Sequence, residues 1–263
     1  LNDKTILSTQ ALETQLRTHL ASVEDTVVGL KPFFDEGQIG FDTPERALLD
    51  LSIALKANAN ITTLALTSVD GRRLGIYRAP NGKLWRINSD SPPPGMTKQD
   101  LPQLSVNSPP TWGALVEHEI GLFANVSVPL GRDGRYDGLL TAATSMKALG
   151  RLVAAQDEGF DNTVFVIADD GRVILHSDAE NLQTGGSIAP ALPGAWRTVG
   201  DPVLAAMADE EPLEEFRKAA DLGIAVSSVE AAEDEYIVMK AQLLGFSDRP
   251  WTVGQYFRSA TVS

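Results

Sequence analysis

The sequence predicts an α+β protein, a long N-terminal helix followed by two tandem modules, each an antiparallel sheet with flanking helices. Three observations predict it. An apolar stripe at steps of three and four residues runs from Leu12 to Leu30. Thr163–Ala168 and Val173–Leu175, joined through Asp170-Gly171, form the most legible hairpin in the chain. The same frame stands 100 residues upstream without a gap, Thr63 for Thr163 and Asp70-Gly71-Arg72 for Asp170-Gly171-Arg172. Asp-Gly-Arg recurs at Asp133-Gly134-Arg135, and common turn chemistry accounts for any one copy. The equal offset favours two similar modules.

The predicted helix spans residues 1–31, with Leu12, Leu16, Leu20, Val23, Val27 and Leu30 on one side and Glu13, Arg17, Glu24 and Asp25 elsewhere. At 1.5 Å per residue it is roughly 40 Å long. Its stripe can lie along both modules or pair with a second chain, and an ordinary core-facing helix explains it equally well. Lys31-Pro32 reads as its end, because proline pushes the preceding residue out of the helical region.

The first module, residues 32–155, opens with a helix signalled by Thr43-Pro44-Glu45, threonine as cap and proline in the first turn. Ala47, Leu48, Leu51, Ile53 and Leu55 supply its expected buried side. A meander comes next: Ile61–Ser68, Leu74–Arg78 and Lys83–Asn88, turning at Asp70-Gly71 and Asn81-Gly82. Pro92-Pro93-Pro94-Gly95 and Pro109-Pro110 bracket a loop-rich segment, since proline is excluded from central strands. Phe123–Leu130 and Tyr136–Met146 make the closing hairpin, and Lys147–Ala155 has helical spacing. The second module, residues 156–263, begins with the Thr163–Ser177 hairpin and a loop from Gly185-Gly186 to Pro193-Gly194. Asp201-Pro202 opens helical segments to about Ala220, and Ile224–Val229, Glu235–Leu244 and Trp251–Phe257 close the sheet.

Composition bounds function. With 263 residues and 43% apolar content the chain can bury a sizeable core. Its 22 lysines and arginines against 35 acids give a net charge of −13, which repels phosphate backbones and anionic lipid surfaces, so nucleic acid is not expected as a partner. The absence of cysteine excludes disulfides, thiolate metal sites and cysteine nucleophiles. No apolar run is long enough to cross a bilayer, and an opening Leu1 is expected of a processed or excised fragment. Only three histidines occur, and Gly-x-Ser-x-Gly, Walker and Gly-x-Gly-x-x-Gly motifs are absent, so nucleophilic, phosphotransfer and dinucleotide chemistry lack their parts. Glu117-His118-Glu119 is the one compact donor cluster, but adjacent residues diverge on a helix or strand and make a poor chelate. His176 reads as a capped or solvated residue, with Asp178 as its nearest partner. No catalytic residue, metal or cofactor is assigned.

The order of these elements resembles a double Cache domain, the PAS-like extracytoplasmic sensor of bacterial transmembrane receptors. The resemblance rests on the long helix, Trp112 ahead of Ala124-Asn-Val-Ser-Val-Pro-Leu130, the Arg132–Leu140 turn and the Thr163–His176 hairpin. Closing Pro250-Trp-Thr-Val-Gly-Gln-Tyr-Phe257 is similar to the strand before the second membrane span in receptors with an adenylate or guanylate cyclase output. The resemblance covers nearly the whole chain. It implies a membrane-distal first module that binds a small molecule, a membrane-proximal second module that relays, membrane attachment through flanking spans, and a cytoplasmic output domain. The family's amino-acid motif carries an aspartate on the closing hairpin where this chain has Ala143, which removes the counter-charge for a ligand ammonium. A small polar or anionic metabolite is the expected partner, with a homodimer through the N-terminal helix.

The candidate ligand-binding residues are Tyr77, Arg78, Trp85, Arg86, Trp112, Asn125, Ser127, Tyr136 and Thr141. Polar groups inside apolar strands orient a buried ligand, and aromatics wall its pocket. Alternation puts Asn125 and Ser127 on one side of their strand. Core anchoring of Trp85 and Trp112, or solvation of Asn125 and Ser127, is the competing explanation. The other function classes are a hydrolase using a carboxylate pair such as Asp157, Glu158 or Asp161, and an interaction module with no ligand. A histidine kinase or chemoreceptor output is the alternative to a cyclase.

Overall fold

The computed structural model describes residues 3–92, 104–118, 120–156, 161–179, 182, 195–214 and 216–261. The predicted loops at Pro93-Pro94-Gly95 and Gly185–Gly194, together with Glu119, Asp157 and Glu158, lie outside the described residues. Helix α1 (Asp3–Asp35) is followed by α2 (Pro44–Ala57) and by β1 (Thr63–Ser68), β2 (Arg73–Arg78) and β3 (Leu84–Ser89). Next come β4 (Thr111–Trp112), β5 (Val116–His118), β6 (Gly121–Arg132), β7 (Arg135–Ser145) and α3 (Met146–Gln156). The remaining elements are β8 (Asn162–Ala168), β9 (Val173–His176), α4 (Pro202–Ala206), β10 (Glu211–Pro212), α5 (Arg217–Asp221), β11 (Ala225–Ala231), β12 (Asp234–Leu243) and β13 (Trp251–Arg258).

The strands form two antiparallel sheets, one ordered β3-β2-β1-β7-β6-β4 with β5 on β6, the other β10-β11-β12-β13-β8-β9. In both, the entry hairpin pairs with the last strand of the module, which pairs with the strand before it. The chain divides into two compact units: one holds His19–Val116 and Phe123–Ser145, with most of the first sheet, the other holds Leu1–Thr18, Glu117–Leu122 and Met146–Ser263, with the second sheet. The entry hairpins share the backbone of their turns. Gly71 and Gly171 have φ of 91° and 85°, where glycine carries no Cβ penalty. The closing bonds are Ser68 N to Arg72 O at 2.8 Å and Ala168 N to Arg172 O at 2.9 Å.

The apolar stripe of α1 is buried as its spacing requires, Leu12, Leu16, Leu20, Val23 and Val27 being at most 6% exposed. The helix does not stop at Lys31-Pro32. It continues through Pro32 to Asp35, because a proline in the last turn removes only one helical bond, and it ends where Gly37 takes φ 74°. Thr43 precedes α2 but makes no side-chain cap; its hydroxyl turns back to the Gly40 carbonyl. Ala47, Leu48, Leu51 and Leu55 are buried, whereas Ile53 is 58% exposed, since two residues from Leu51 and Leu55 a helical side chain points away.

In the second sheet one side packs on α1 and α5, with Ile6, Ala219, Ile237, Met239 and Phe257 in one cluster. Thr9 of α1 receives a hydrogen bond from Gln255 Nε2 at 2.6 Å there. The other side packs Phe165, Val229 and Val238 under Val203 and Leu204 of α4. Phe165 fits because Gly254 opposite has no side chain: an added Cβ would overlap Phe165 Cζ and come within 2.8 Å of Cε2 and 2.9 Å of the Met239 carbonyl. Gly254→Ala therefore forces the ring out of its place, and we expect a loss of about 1–3 kcal/mol of stability in urea unfolding. An unchanged midpoint would contradict this packing.

Candidate functional site

The register of the first sheet sorts the predicted site residues onto two faces. Directly opposed residues share a face, so Trp85, Tyr77, Thr63, Ala143 and Asn125 form one row across β3, β2, β1, β7 and β6. Ile87, Gly75, Ala65, Thr141 and Ser127 form the next row on the same face. With strands about 4.8 Å apart, each row is about 19 Å long. The opposite face carries Leu64, Leu66, Ile76, Val126 and Ala142, all at most 2% exposed.

The first face is the candidate site. Its middle is half-buried and shallow, because Ala65, Gly75 and Ala143 are small where polar side chains flank them. Ser127 Oγ and Thr141 Oγ1 lie 2.7 Å apart and share a hydrogen bond, so one hydroxyl proton and several lone pairs stay available to a ligand. Asn125 Nδ2 donates to the Ala114 carbonyl at 2.9 Å. Trp85 stands at one end, 48% exposed, with Lys83 Nζ 4.7 Å from its ring centre. A further row on this face holds Arg73, opposite Thr67. Arg73 donates its Nε to the Ser91 carbonyl at 3.0 Å, and partial burial lowers its pKa. Up to the bulge at Leu130, Arg73 is the one charged residue among the register-paired positions of this face in β1, β2, β3, β6 and β7.

In the sequence Arg73 reads as part of the Asp70-Gly71 turn, which hides it from the candidate residues. Its spacing of four residues from Tyr77 on one strand is the signal that places both on one side.

Arg78, Arg86 and Trp112 fall on the helix face instead. Arg78 reaches the end of α2, donating to the carbonyls of Leu55 at 2.5 Å and Ala59 at 3.2 Å. Such a cation at a helix C-terminus satisfies orphan carbonyls and suits the dipole. Arg86 pairs with Glu45 of α2 at 2.9 Å. Trp112 is buried and donates its Nε1 to Glu24 of α1 at 2.7 Å. Tyr136 sits beyond the bulge near the hairpin tip, opposite Gly131, with its pKa raised by burial. Five of the nine expected residues, Tyr77, Trp85, Asn125, Ser127 and Thr141, thus lie on this one face.

The corresponding face of the second sheet is filled by its own side chains. Phe165 holds the place of Ala65, 100 residues on, and Tyr256 and Val238 hold the places of Ala143 and Asn125. Phe165 and Tyr256 have ring centres 6.4 Å apart. The Tyr256 hydroxyl donates to Asp201 Oδ2 at 2.8 Å, and His176 Nε2 lies 2.7 Å from the same oxygen. Asp201 Oδ1 caps α4, accepting from Val203 N at 2.8 Å and Leu204 N at 3.0 Å. His176 is neither solvated nor dependent on the Asp178 carboxylate: it is buried, and its Nδ1 accepts from the Asp178 backbone N–H at 3.1 Å. That acceptor role puts the ring proton on Nε2, aimed at Asp201. The chain fold brings Asp201 back from 25 residues away, beyond local reading. Among the described residues no group of three or more metal-ligating side chains occurs, and no helix is long and apolar enough to cross a membrane.

No protein-family model matches the chain, and no curated protein does. Solved structures do share its fold. The extracellular domain of histidine kinase vpHK1S-Z8 superposes with a TM-score of 0.62 at 8% identity, covering 98% of this chain and 94% of that one. That of histidine kinase soHK1S-Z6 gives 0.58 at 18% identity, with 95% and 91% covered. The ligand-binding domain of the Campylobacter jejuni chemoreceptor Tlp3, in complex with L-norvaline, gives 0.57 at 12% identity, with 97% and 92% covered. What these extracellular and ligand-binding domains share with the chain is its fold, a long helix followed by two tandem antiparallel sheet units.

Burial alone would raise the Asp201 carboxyl, but hydrogen bonds from His176, the Leu204 amide and Tyr256 outweigh it and leave the pKa lowered. A folded pKa below the unfolded one, about 3.9, contributes stability above that value which is lost as pH falls through the folded pKa. Asp201→Asn should lower stability at neutral pH by about 1–3 kcal/mol and flatten its decline below about pH 4, as read from urea midpoints across pH. An unaltered acid limb would count against this role for Asp201.

Proposed function

We propose that the chain is the extracytoplasmic sensing domain of a bacterial transmembrane receptor, binding a small organic anion on the face of the first sheet turned away from α2, which no helix covers among the described residues and which is its open face. One observation carries this reading: where the second sheet places Phe165, Tyr256 and Val238, the first places Ala65, Ala143 and Asn125. Small residues there leave room for a ligand that the second module fills with its own rings. Arg73 supplies the positive charge, the Ser127–Thr141 pair and Tyr77 supply hydroxyls, and Trp85 walls one end. A carboxylate is the matching group, since guanidinium binds it in two-pronged fashion. With Ala143 in place of an acid and no carboxylate on the paired face, a free amino acid such as the norvaline of the chemoreceptor Tlp3 finds no partner for its ammonium.

Ligand occupancy then biases the module only as far as it prefers one conformation over another, and α1 and the final strand β13 carry that preference to the flanking segments. Exposed Leu7, Val28 and Phe33 on α1 support a homodimer through that helix. The Pro250–Phe257 strand favours an adenylate or guanylate cyclase as output. The fold neighbours from histidine kinases and a chemoreceptor support the second reading, a kinase or methyl-accepting output. The coding sequence flanking this domain distinguishes the two.

A calorimetric titration with a panel of small mono- and dicarboxylates tests the site. We expect at least one binder, weakened about 10- to 100-fold by Arg73→Gln as a charge-assisted hydrogen bond is lost. Ala143→Phe, which imitates the filled second module, should abolish binding while circular dichroism stays unchanged. Binding that survives both substitutions, or a panel without a binder, would overturn the assignment.

A further inference from the structure

On the helix face of the first sheet, away from the open face, the α1–α2 loop and the end of the β6–β7 hairpin line a solvent-open cavity of about 250 Å³. Its apolar lining is half-buried Phe41 together with Phe34, Ile39, Leu66 and Leu130, these four at most 6% exposed. Arg132, Asp42 and Asp137, all solvent-accessible, line it as well, beside Gly40 and Gly131. Among the described residues, none of these three side chains makes an ion pair or a hydrogen bond, although charged groups of both signs line one small cavity.

We propose that this cavity is a second binding site, for a small zwitterion whose ammonium and carboxylate are separated by a short apolar chain, such as an ω-amino acid. Three features build it. First, Leu130 pairs with Gly138 and Gly131 with Tyr136, which leaves Asp137 as the extra residue of a β-bulge. A bulge re-aims a side chain that regular alternation would send elsewhere, and here it contributes a carboxylate to the apolar recess. Second, the Arg132 guanidinium lies against the α1–α2 loop: a Cβ on Gly37 would be 3.2 Å from its Cζ, and one on Gly40 would be 3.5 Å from its terminal nitrogen. Gly37 also has φ 74°, so the loop needs glycine there for conformation as well as room. Third, one cation and two carboxylates at the rim of an apolar floor match a ligand with both charges and a methylene chain between them. The ammonium sits with Asp42 and Asp137, the carboxylate pairs with Arg132, and the methylenes cover Phe34, Ile39, Leu66 and Leu130. A volume below the roughly 300–1,000 Å³ of drug-sized pockets restricts the ligand to a handful of heavy atoms.

The test is a titration of the whole chain with 5-aminopentanoate, followed by calorimetry and amide chemical shifts, with pentanoate and pentylamine as single-charge comparisons. We expect 5-aminopentanoate to bind at least tenfold more tightly than either comparison compound. Arg132→Gln and Asp137→Asn should each weaken it about tenfold, the equivalent of about 1.4 kcal/mol. Ala143→Phe on the open face should leave it unchanged, so failure here and failure of the anion site are read separately. Absence of binding, equal affinity for the three compounds, or insensitivity to Arg132→Gln would each overturn the proposal. Amide shifts confined to the open face would do the same.

Discussion

The register between β1 and β7 is the constraint on which the rest of this molecule depends. Thr63 stands opposite Ala143, Ala65 opposite Thr141, and Leu64 opposite Ala142. That alignment sends Leu64, Leu66 and Ala142 to the helix face and leaves threonine, alanine and serine on the other. A slip of one residue would exchange the faces, burying hydroxyls against α2 and exposing leucines. Burial of Leu64, Leu66 and Ala142 fixes the register, so the core that stabilises the sheet also determines the chemistry of its open face.

The two modules share one framework. Their entry turns correspond residue for residue, and their strand orders match. What differs is the size of side chains at matching positions. In the second module Phe165 and Tyr256 fill the face, Gly254 is bare to admit the phenyl ring, and the Tyr256 hydroxyl joins His176 on the Asp201 carboxylate that caps α4. Strand β13, helix α4 and the end of β9 are tied at one buried acid, so these elements form a closed body. The first module keeps Ala65, Ala143 and Asn125 at the same places.

Much of this architecture is legible in the sequence because it is local. The α1 stripe, the Asp-Gly turns and the Asp201 cap are each set by residues within one or two turns of their neighbours, and the tandem offset is a repeat of one such local turn. Other features depend on tertiary packing. Pro32 ends α1 or merely sits in its last turn according to how the next residues pack, and hydrophobicity alone groups Ile53 with Leu51 although helical geometry separates them. Proximity along the chain groups Arg78 and Arg86 with Tyr77 and Trp85, yet strand alternation turns them to α2, where carbonyls and Glu45 engage them. Alternation also carries Arg73 to the open face, once β2 is seen to start at that residue instead of one later. The bulge that releases Asp137 leaves no mark in the local residue pattern.

The most direct measurement is a crystal structure of this chain grown with a mixture of small carboxylates. We predict ligand density on the open face of the first sheet, its carboxylate at Arg73 and its polar groups at Ser127 and Thr141, with none between Phe165 and Tyr256. Density lodged in the second module, or a first-sheet face occluded by the chain's own side chains, would contradict it.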